Sequence, residues 1–422
     1  MRIRGVVASA VALWALALSL SVRALPGTVA IPQPPAEAPA AAQPTLTNTD
    51  CFDCHDDDSA ARADGRSVTV KPAAVEQSIH ASMDCVDCHQ DLATAELPHA
   101  ETLKKVDCAG CHGDADELFK VSAHAKARAD GSLVAASCVD CHGTHDIRPK
   151  TDPESKTHHL NVAATCAACH GNAEIIAKGH MPRDMTQAFA DSIHGRVLNK
   201  SGLMVAPTCS NCHGAHDIRP PKDPESRVGM GNVASTCGTC HEGIARQFKG
   251  GVHAAVLETG ATNAPACQTC HTSHSVQRSE SRGWQLSVIN QCGTCHAERM
   301  STFRDTFHGQ VSTLGSRSAA GCADCHGAHE ILPATDPRSP IAPANLVATC
   351  GKCHENANAN FVKFDPHANK HDRARNPALY YTSKFMIVLL FGVFAAFGLH
   401  TVLWLGKEAR LKRERRGKPA AR

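Results

Sequence analysis

The chain has 422 residues, with 43 Lys and Arg against 41 Asp and Glu and a formal net charge of +2. That balance offers no basic field for nucleic acid. Only 12 Phe, 2 Tyr and 3 Trp are present, too few for an ordinary aromatic-anchored core of this size, whereas 22 Cys and 27 His are in excess.

Met1-Arg2-Ile3-Arg4, an apolar run over 5–22 and the flank Val22-Arg23-Ala24 make up the three parts of a secretory signal, 1–24, with cleavage expected after Ala24. Left uncleaved, the run is just long enough to span a bilayer. Residues 25–49 hold Pro26, Pro32, Pro34, Pro35, Pro39 and Pro44 among alanines, with Glu37 the one charged side chain before Asp50, and read as an extended linker.

Eleven Cys-x-x-Cys-His motifs then use every cysteine. They are Cys51 and Cys54 with His55, Cys85 and Cys88 with His89, Cys108 and Cys111 with His112, Cys138 and Cys141 with His142, Cys166 and Cys169 with His170, and Cys209 and Cys212 with His213. The remaining five are Cys237 and Cys240 with His241, Cys267 and Cys270 with His271, Cys292 and Cys295 with His296, Cys322 and Cys325 with His326, and Cys350 and Cys353 with His354. Two thiols three residues apart on one turn can bond the two vinyl-derived carbons of a porphyrin edge, and the next His reaches the iron on the same helical face. Disulfides or zinc ribbons would not require the His. At the chain's composition one position is His roughly 6% of the time, so eleven in succession arise by chance on the order of once in 10^13. Eleven covalent haems c are expected, about 32 residues of exported chain for each. The fold class follows: a multihaem cytochrome c of short α-helices and irregular loops wrapped around a haem chain, with little or no β-sheet and a core supplied by porphyrin.

The haem region repeats. From residue 108 to 372 we read four dihaem units and a half unit, beginning at Cys108, Cys166, Cys237, Cys292 and Cys350, preceded by an N-terminal dihaem segment, 50–107, of looser spacing. Each full unit carries a lone His between its motifs, His124, His194, His253 or His308, and a second His three residues past its second motif, His145, His216, His274 or His329. A His three residues beyond a proximal His cannot reach round the ring to the other face of its own porphyrin, so it must serve a neighbouring haem. These eight are candidate distal ligands, and His80, His99 and His367 bring the number to eleven. His371 competes with His367 and His180 with His99; the pairing stays open. His158 and His159 read as solvated loop residues. With all positions filled, the irons carry electrons and bind no substrate. The proline-bearing stretches Asp146-Ile-Arg-Pro and Asp217-Ile-Arg-Pro read as loops joining units.

Residues 380–406 read as a transmembrane helix, built on an apolar run over 385–405 with Tyr380, Tyr381, Lys384 and Trp404 at its ends. The 407–422 tail is net +6, which the positive-inside rule puts in the cytoplasm, leaving the haem region in the periplasm. Without the tail and the three N-terminal arginines the exported part is net −7. His400, inside the run, either snorkels to the interface or meets a quinone or b-type haem of a partner.

The stretch Ser78-Ile-His80 through Cys85-Val-Asp-Cys-His, Pro98-His99 and Cys108-Ala-Gly-Cys-His resembles multihaem c-type subunits of bacterial inner-membrane cytochrome b/c complexes. So do the Ser-Ile-His194-Gly and Cys-His-Gly-Ala-His216 repeats and the terminal helix. That resemblance implies a single-pass inner-membrane protein of anaerobic respiration. Its periplasmic haems would relay electrons between the quinone pool, through a partner b-type cytochrome, and soluble periplasmic cytochromes. Ending after one helix, the chain would need that b-type cytochrome as a separate protein. The alternatives are a multihaem oxidoreductase with one open iron acting on a small oxyanion, and a polymerising cytochrome filament.

Overall fold

A computed structural model describes residues 46–417. The predicted signal and all but the last four residues of the predicted linker lie outside the described residues, as does the end of the tail. Within them the haem region is a succession of short helices joined by turns. Its longest helix is Arg282–Cys295, of 14 residues, and β-structure amounts to one isolated antiparallel bridge between Ala61 and Ser67. The first helix, Asn48–His55, begins two residues inside the stretch read as linker.

Aliphatic burial is sparse. The one hydrophobic cluster among the described residues is Ile289, Met300 and Phe303, and the largest fully buried side chains besides Leu198 are hydroxyl-bearing: Thr208, Ser122, Ser226 and Ser339. These hydroxyls fasten repeated loops. Ser155, Ser226 and Ser339 each donate to the carbonyl seven residues upstream, of Arg148, Arg219 and Leu332. Six residues further on, Asn161, Asn232 and Asn345 each hold two carbonyls of the same loop, at 2.8 and 2.9 Å. The third copy, on Asp336-Pro337-Arg338-Ser339, was not singled out in the sequence. The unit beginning at Cys237 lacks the loop and has the Arg282–Cys295 helix in its place.

Successive units are clipped by a recurring backbone bond. The N–H just before a lone His donates to the carbonyl two residues past the trailing His of the next unit: Ile79 to Ile147, Ala123 to Ile218, Ile193 to Val276 and Val252 to Ile331, at 2.7 to 2.9 Å. Three of the four lone-His helices of the full units open on a hydroxyl cap, Ser122, Ser192 or Thr306, which accepts from the N–H three residues on.

The Pro377–Gly417 helix has 41 residues, about 60 Å at 1.5 Å per residue, twice a hydrocarbon core of about 30 Å. It is the one described helix long and apolar enough to cross a membrane, and its apolar stretch is unburied. The 407–416 segment read as tail continues this helix without a break. Lys384 and Arg373 lie over the Tyr380 and Tyr381 rings, at 5.6 and 5.5 Å.

Candidate haem-binding chain

The second motif of each full unit sits on a single helical turn, such as Cys138–His142, Cys209–His213 and Cys322–His326. The residue between its cysteines secures that turn: Asp140, Asn211 and Asp324 accept from the backbone N–H of residues 137, 208 and 321, at 2.6 to 2.8 Å. None of the 22 cysteines is in a disulfide.

Every motif His faces one further His across a gap of nearly constant width. Ring centres are 6.0 Å apart for His55–His99, 5.9 for His112–His80, 6.3 for His89–His145, 6.1 for His170–His124 and 6.0 for His142–His216. They are 6.3 Å apart for His241–His194, 6.0 for His213–His274, 6.3 for His296–His253, 6.1 for His271–His329, 6.1 for His354–His308 and 6.2 for His326–His367. A metal–imidazole bond is about 2.0–2.1 Å and the ring centre lies about 1.1 Å beyond the nitrogen, so two imidazoles on one metal have centres about 6.3 Å apart. The gaps fit a single iron between each pair. The described residues hold no cluster of three or more Cys, His, Asp or Glu able to bind a metal unaided; a haem iron needs only two protein ligands, because the porphyrin supplies the other four.

The eleven partners are the eleven His singled out in the sequence, and their pairing follows a rule. Each lone His reaches forward to the first motif of the next unit: His80 to the third motif, His124 to the fifth, His194 to the seventh, His253 to the ninth and His308 to the eleventh. Each trailing His reaches back to the second motif of the preceding unit: His145 to the second motif, His216 to the fourth, His274 to the sixth and His329 to the eighth. The N-terminal segment takes part in the same exchange through His80 and His145 despite its looser spacing, whereas its first motif faces His99 of the same segment. His367 faces His326, while His371 and His180 are exposed and His159 bonds the Ala206 carbonyl at 2.8 Å.

Burial lowers the pKa of many of these imidazoles, among them His124, His145, His194, His213, His253, His274 and His329, and so keeps the neutral form, the one with a lone pair for a metal. Where Nδ1 has a partner, Nε2 is left to face the gap. His55 Nδ1 bonds the Val68 carbonyl and His99 Nδ1 the Ala100 carbonyl, both at 2.8 Å, and His367 Nδ1 meets the Thr302 hydroxyl at 3.1 Å.

The thiols set the order of the motifs. First cysteines meet within a unit, Cys51 with Cys85, Cys108 with Cys138, Cys166 with Cys209, Cys237 with Cys267 and Cys292 with Cys322. Second cysteines approach across unit boundaries, Cys88 to Cys111, Cys141 to Cys169, Cys212 to Cys240, Cys270 to Cys295 and Cys325 to Cys353. Cys54 stands outside this series, because no motif precedes its own in the sequence; it is exposed on the Asn48–His55 helix, which also carries Cys51 and His55. The motifs therefore follow one another in space as they do in sequence.

A continuous cavity of about 4800 Å³ runs between Ile79 and Arg375 and is lined by the third to the eleventh motif. Nine cofactor pockets of about 300–1,000 Å³ each bracket that volume. The sequence placed all eleven sites on one haem chain, but the cysteines of the first two motifs, Cys51, Cys54, Cys85 and Cys88, do not line this cavity. The first site is marked by the His55–His99 pair, with ring centres 6.0 Å apart. Buried atoms without a partner include His89 Nδ1, His170 Nδ1, Gln268 Oε1, Ser281 Oγ, Trp284 Nε1 and Arg317 Nε, an arrangement suited to a polar-edged group that the polypeptide does not itself supply.

Residues 79–170 match the cytochrome c3 family model. That segment contains four of the motifs, from Cys85 to His170, and the match supports a multihaem c-type cytochrome: covalent haem c, iron and electron transfer. No curated protein and no solved structure matches the chain.

The repeat pattern did not announce two aromatic side chains at the haem pairs. Trp284 stacks on His271, with centres 5.0 Å apart and planes at 15°, and Phe361 lies 4.9 Å from His354. Trp284 is the one Trp between the two apolar terminal segments, and that isolation was the available signal.

Proposed function

We propose that the chain carries eleven haems c, each held by its Cys pair and by two imidazoles, and works as an electron wire whose haems follow the sequence. The observation carrying this reading is that all eleven motif His face a second imidazole at the spacing of two ligands on one iron. Irons so ligated have no position for substrate, which favours a relay over a catalyst.

The wire has a membrane end. The eleventh motif and His367 lie shortly before Pro377, where the apolar helix starts. The haem region is periplasmic in this reading. Electrons pass between the quinone pool, through a partner b-type cytochrome, and soluble periplasmic cytochromes that meet the far end, at the haem of Cys51 and Cys54. Residues 47–107 there hold 13 acidic against 5 basic side chains, which suits a cationic carrier.

Haem quantitation by pyridine haemochrome, with low-temperature EPR of the oxidised full chain in detergent, tests this. Eleven low-spin haems per chain are expected. A high-spin signal worth one haem would replace the relay by a catalyst with an open iron.

A further inference from the structure

We propose that Ser281, Trp284 and Arg317 clamp a propionate carboxylate of the haem on Cys267 and Cys270, and that this clamp raises the reduction potential of that haem above what it would otherwise have. The inference rests on the eleven-haem reading.

These three side chains belong to the start of one helix and to the segment that runs along it. Ser281 and Trp284 are one turn apart at the start of the Arg282–Cys295 helix, and the Trp284 ring lies on the imidazole of His271, the proximal ligand of that haem in this reading. Arg282 donates from Nε to the Gly315 carbonyl at 3.1 Å, and Ile289 lies against Gly321. The 315–321 segment that bears Arg317 therefore runs along the same helix. Trp284 and Arg317 both line the haem cavity.

Ser281 Oγ, Trp284 Nε1 and Arg317 Nε are buried, and none has a partner in the polypeptide. Ser281 stands at the helix N-cap, yet its hydroxyl makes no cap bond. A buried donor left unmade costs about 1–3 kcal/mol, more for a charged group. Three such donors around the start of one helix, one of them on the ring that covers His271, call for an acceptor, and a haem brings two carboxylates. The nearest acid in sequence, Glu280, is exposed and takes a bond from Ser279 at 3.2 Å.

The repeat provides a contrast. In two other units the loop at this place neutralises its own arginine: Arg148 pairs with Asp152 and Glu154, and Arg219 with Asp223 and Glu225. The unit at Cys237 has Gln277 at that arginine's position and a helix in place of the loop, so its Ser281 and Trp284 have no such network, and Arg317, from the following unit, has none at its Nε. A guanidinium and two neutral donors on a propionate offset its negative charge. Ferrous haem has one positive charge fewer than ferric, so that offset favours reduction.

The test is potentiometric titration of the full chain in detergent, comparing wild type with Arg317→Gln, Trp284→Phe and Ser281→Ala. Trp284→Phe keeps a ring on His271 and removes only the N–H. With Arg317→Gln, a single one-electron component should shift toward harder reduction by about tenfold in its equilibrium constant, equivalent to about 59 mV. Trp284→Phe should move the same component in the same direction, and the other ten should stay in place. The wild-type minus Trp284→Phe indole Raman difference isolates Trp284 from Trp14 and Trp404, and should show a hydrogen-bonded N–H. Unmoved components in Arg317→Gln and Ser281→Ala overturn the clamp even if Trp284→Phe fails to accumulate, and so does a free indole N–H. Haem count and spin state on the same samples judge the wire reading separately: a full low-spin complement with unmoved potentials sinks the clamp alone.

Discussion

Replacing His253 by Ala should damage a haem outside its own unit. His253 lies on the Val252–Glu258 helix, twelve residues past His241, and the local expectation is that it serves that motif or the next in its unit. In the structure its ring centre is 6.3 Å from that of His296, in the following unit, while His241 already faces His194 at 6.3 Å. Truncation removes one imidazole from one iron, so one haem in eleven should turn high-spin and ten stay low-spin. Double variants locate the loss. His253→Ala with His296→Ala strips both ligands from the same iron, so ten low-spin haems should remain. His253→Ala with His241→Ala opens two irons, leaving nine. Integrated low-spin EPR intensity, normalised to haem content, reads the difference. Ten low-spin haems in the His241 double variant and nine in the His296 one would refute the forward reach, as would eleven in His253→Ala itself.

The imidazole planes should sort the irons into two spectroscopic groups. Five pairs lie within 8–27° of parallel and six are twisted by 32–59°, so the EPR spectrum should divide between rhombic and large-g low-spin signals at about five to six; one uniform class would contradict the geometry. Acid should weaken the fold. Burial holds His124, His145, His194 and His274 below the ordinary 6.5, so below that pH the unfolded chain binds protons that the folded one does not, and stability falls with pH while these groups leave it flat above. Denaturation midpoints between pH 4 and 8 would show it, and no loss below about pH 6.5 would count against it. Thr272 occupies φ 64°, ψ 165°, where Gly143, Gly214 and Gly327 stand in the other units. Thr272→Gly should therefore stabilise by about 1 kcal/mol, the relief of about 1–3 kcal/mol of strain less the hydroxyl's contacts. Gly143→Ala should destabilise, since its Cβ would come 2.7 Å from Asp146 Oδ1; chemical denaturation of both variants reads the two signs.

The strandless helical architecture was legible because the cysteines dictate it. With a motif about every 30 residues and few aromatic side chains, the chain between motifs has room for one or two short helices. The candidate His could be counted in advance, but their partners could not be named. His253 and His296 are joined across a unit boundary, and sequence spacing ranks no distant motif above a near one. The N-terminal segment looked irregular because its spacers differ, yet His80 and His145 are exchanged there as elsewhere. That the first two motifs stand apart from the large cavity had no sequence signal, since they read like the other nine. Trp284 was passed over since the repeat had no slot for it, and the unit that holds it differs from its neighbours in loop and backbone. At the other end, the apolar run marked the terminal helix, whereas its continuation to Gly417 rests on the good helix formers of 407–416.

The forward and backward exchange bears on how such a chain can change length. A unit cut out at its own boundaries takes with it one lone His owed to the unit ahead and one trailing His owed to the unit behind, and the two units brought together supply each other in the same way. Every internal haem then still finds two imidazoles. Removing half a unit, a motif together with the lone or trailing His beside it, leaves one iron short and one imidazole idle. In the proposed eleven-haem chain, an insertion or deletion that keeps every iron supplied would therefore come two haems at a time. In that reading the reach of the wire from the helix would scale with the number of copies of one interlocking part.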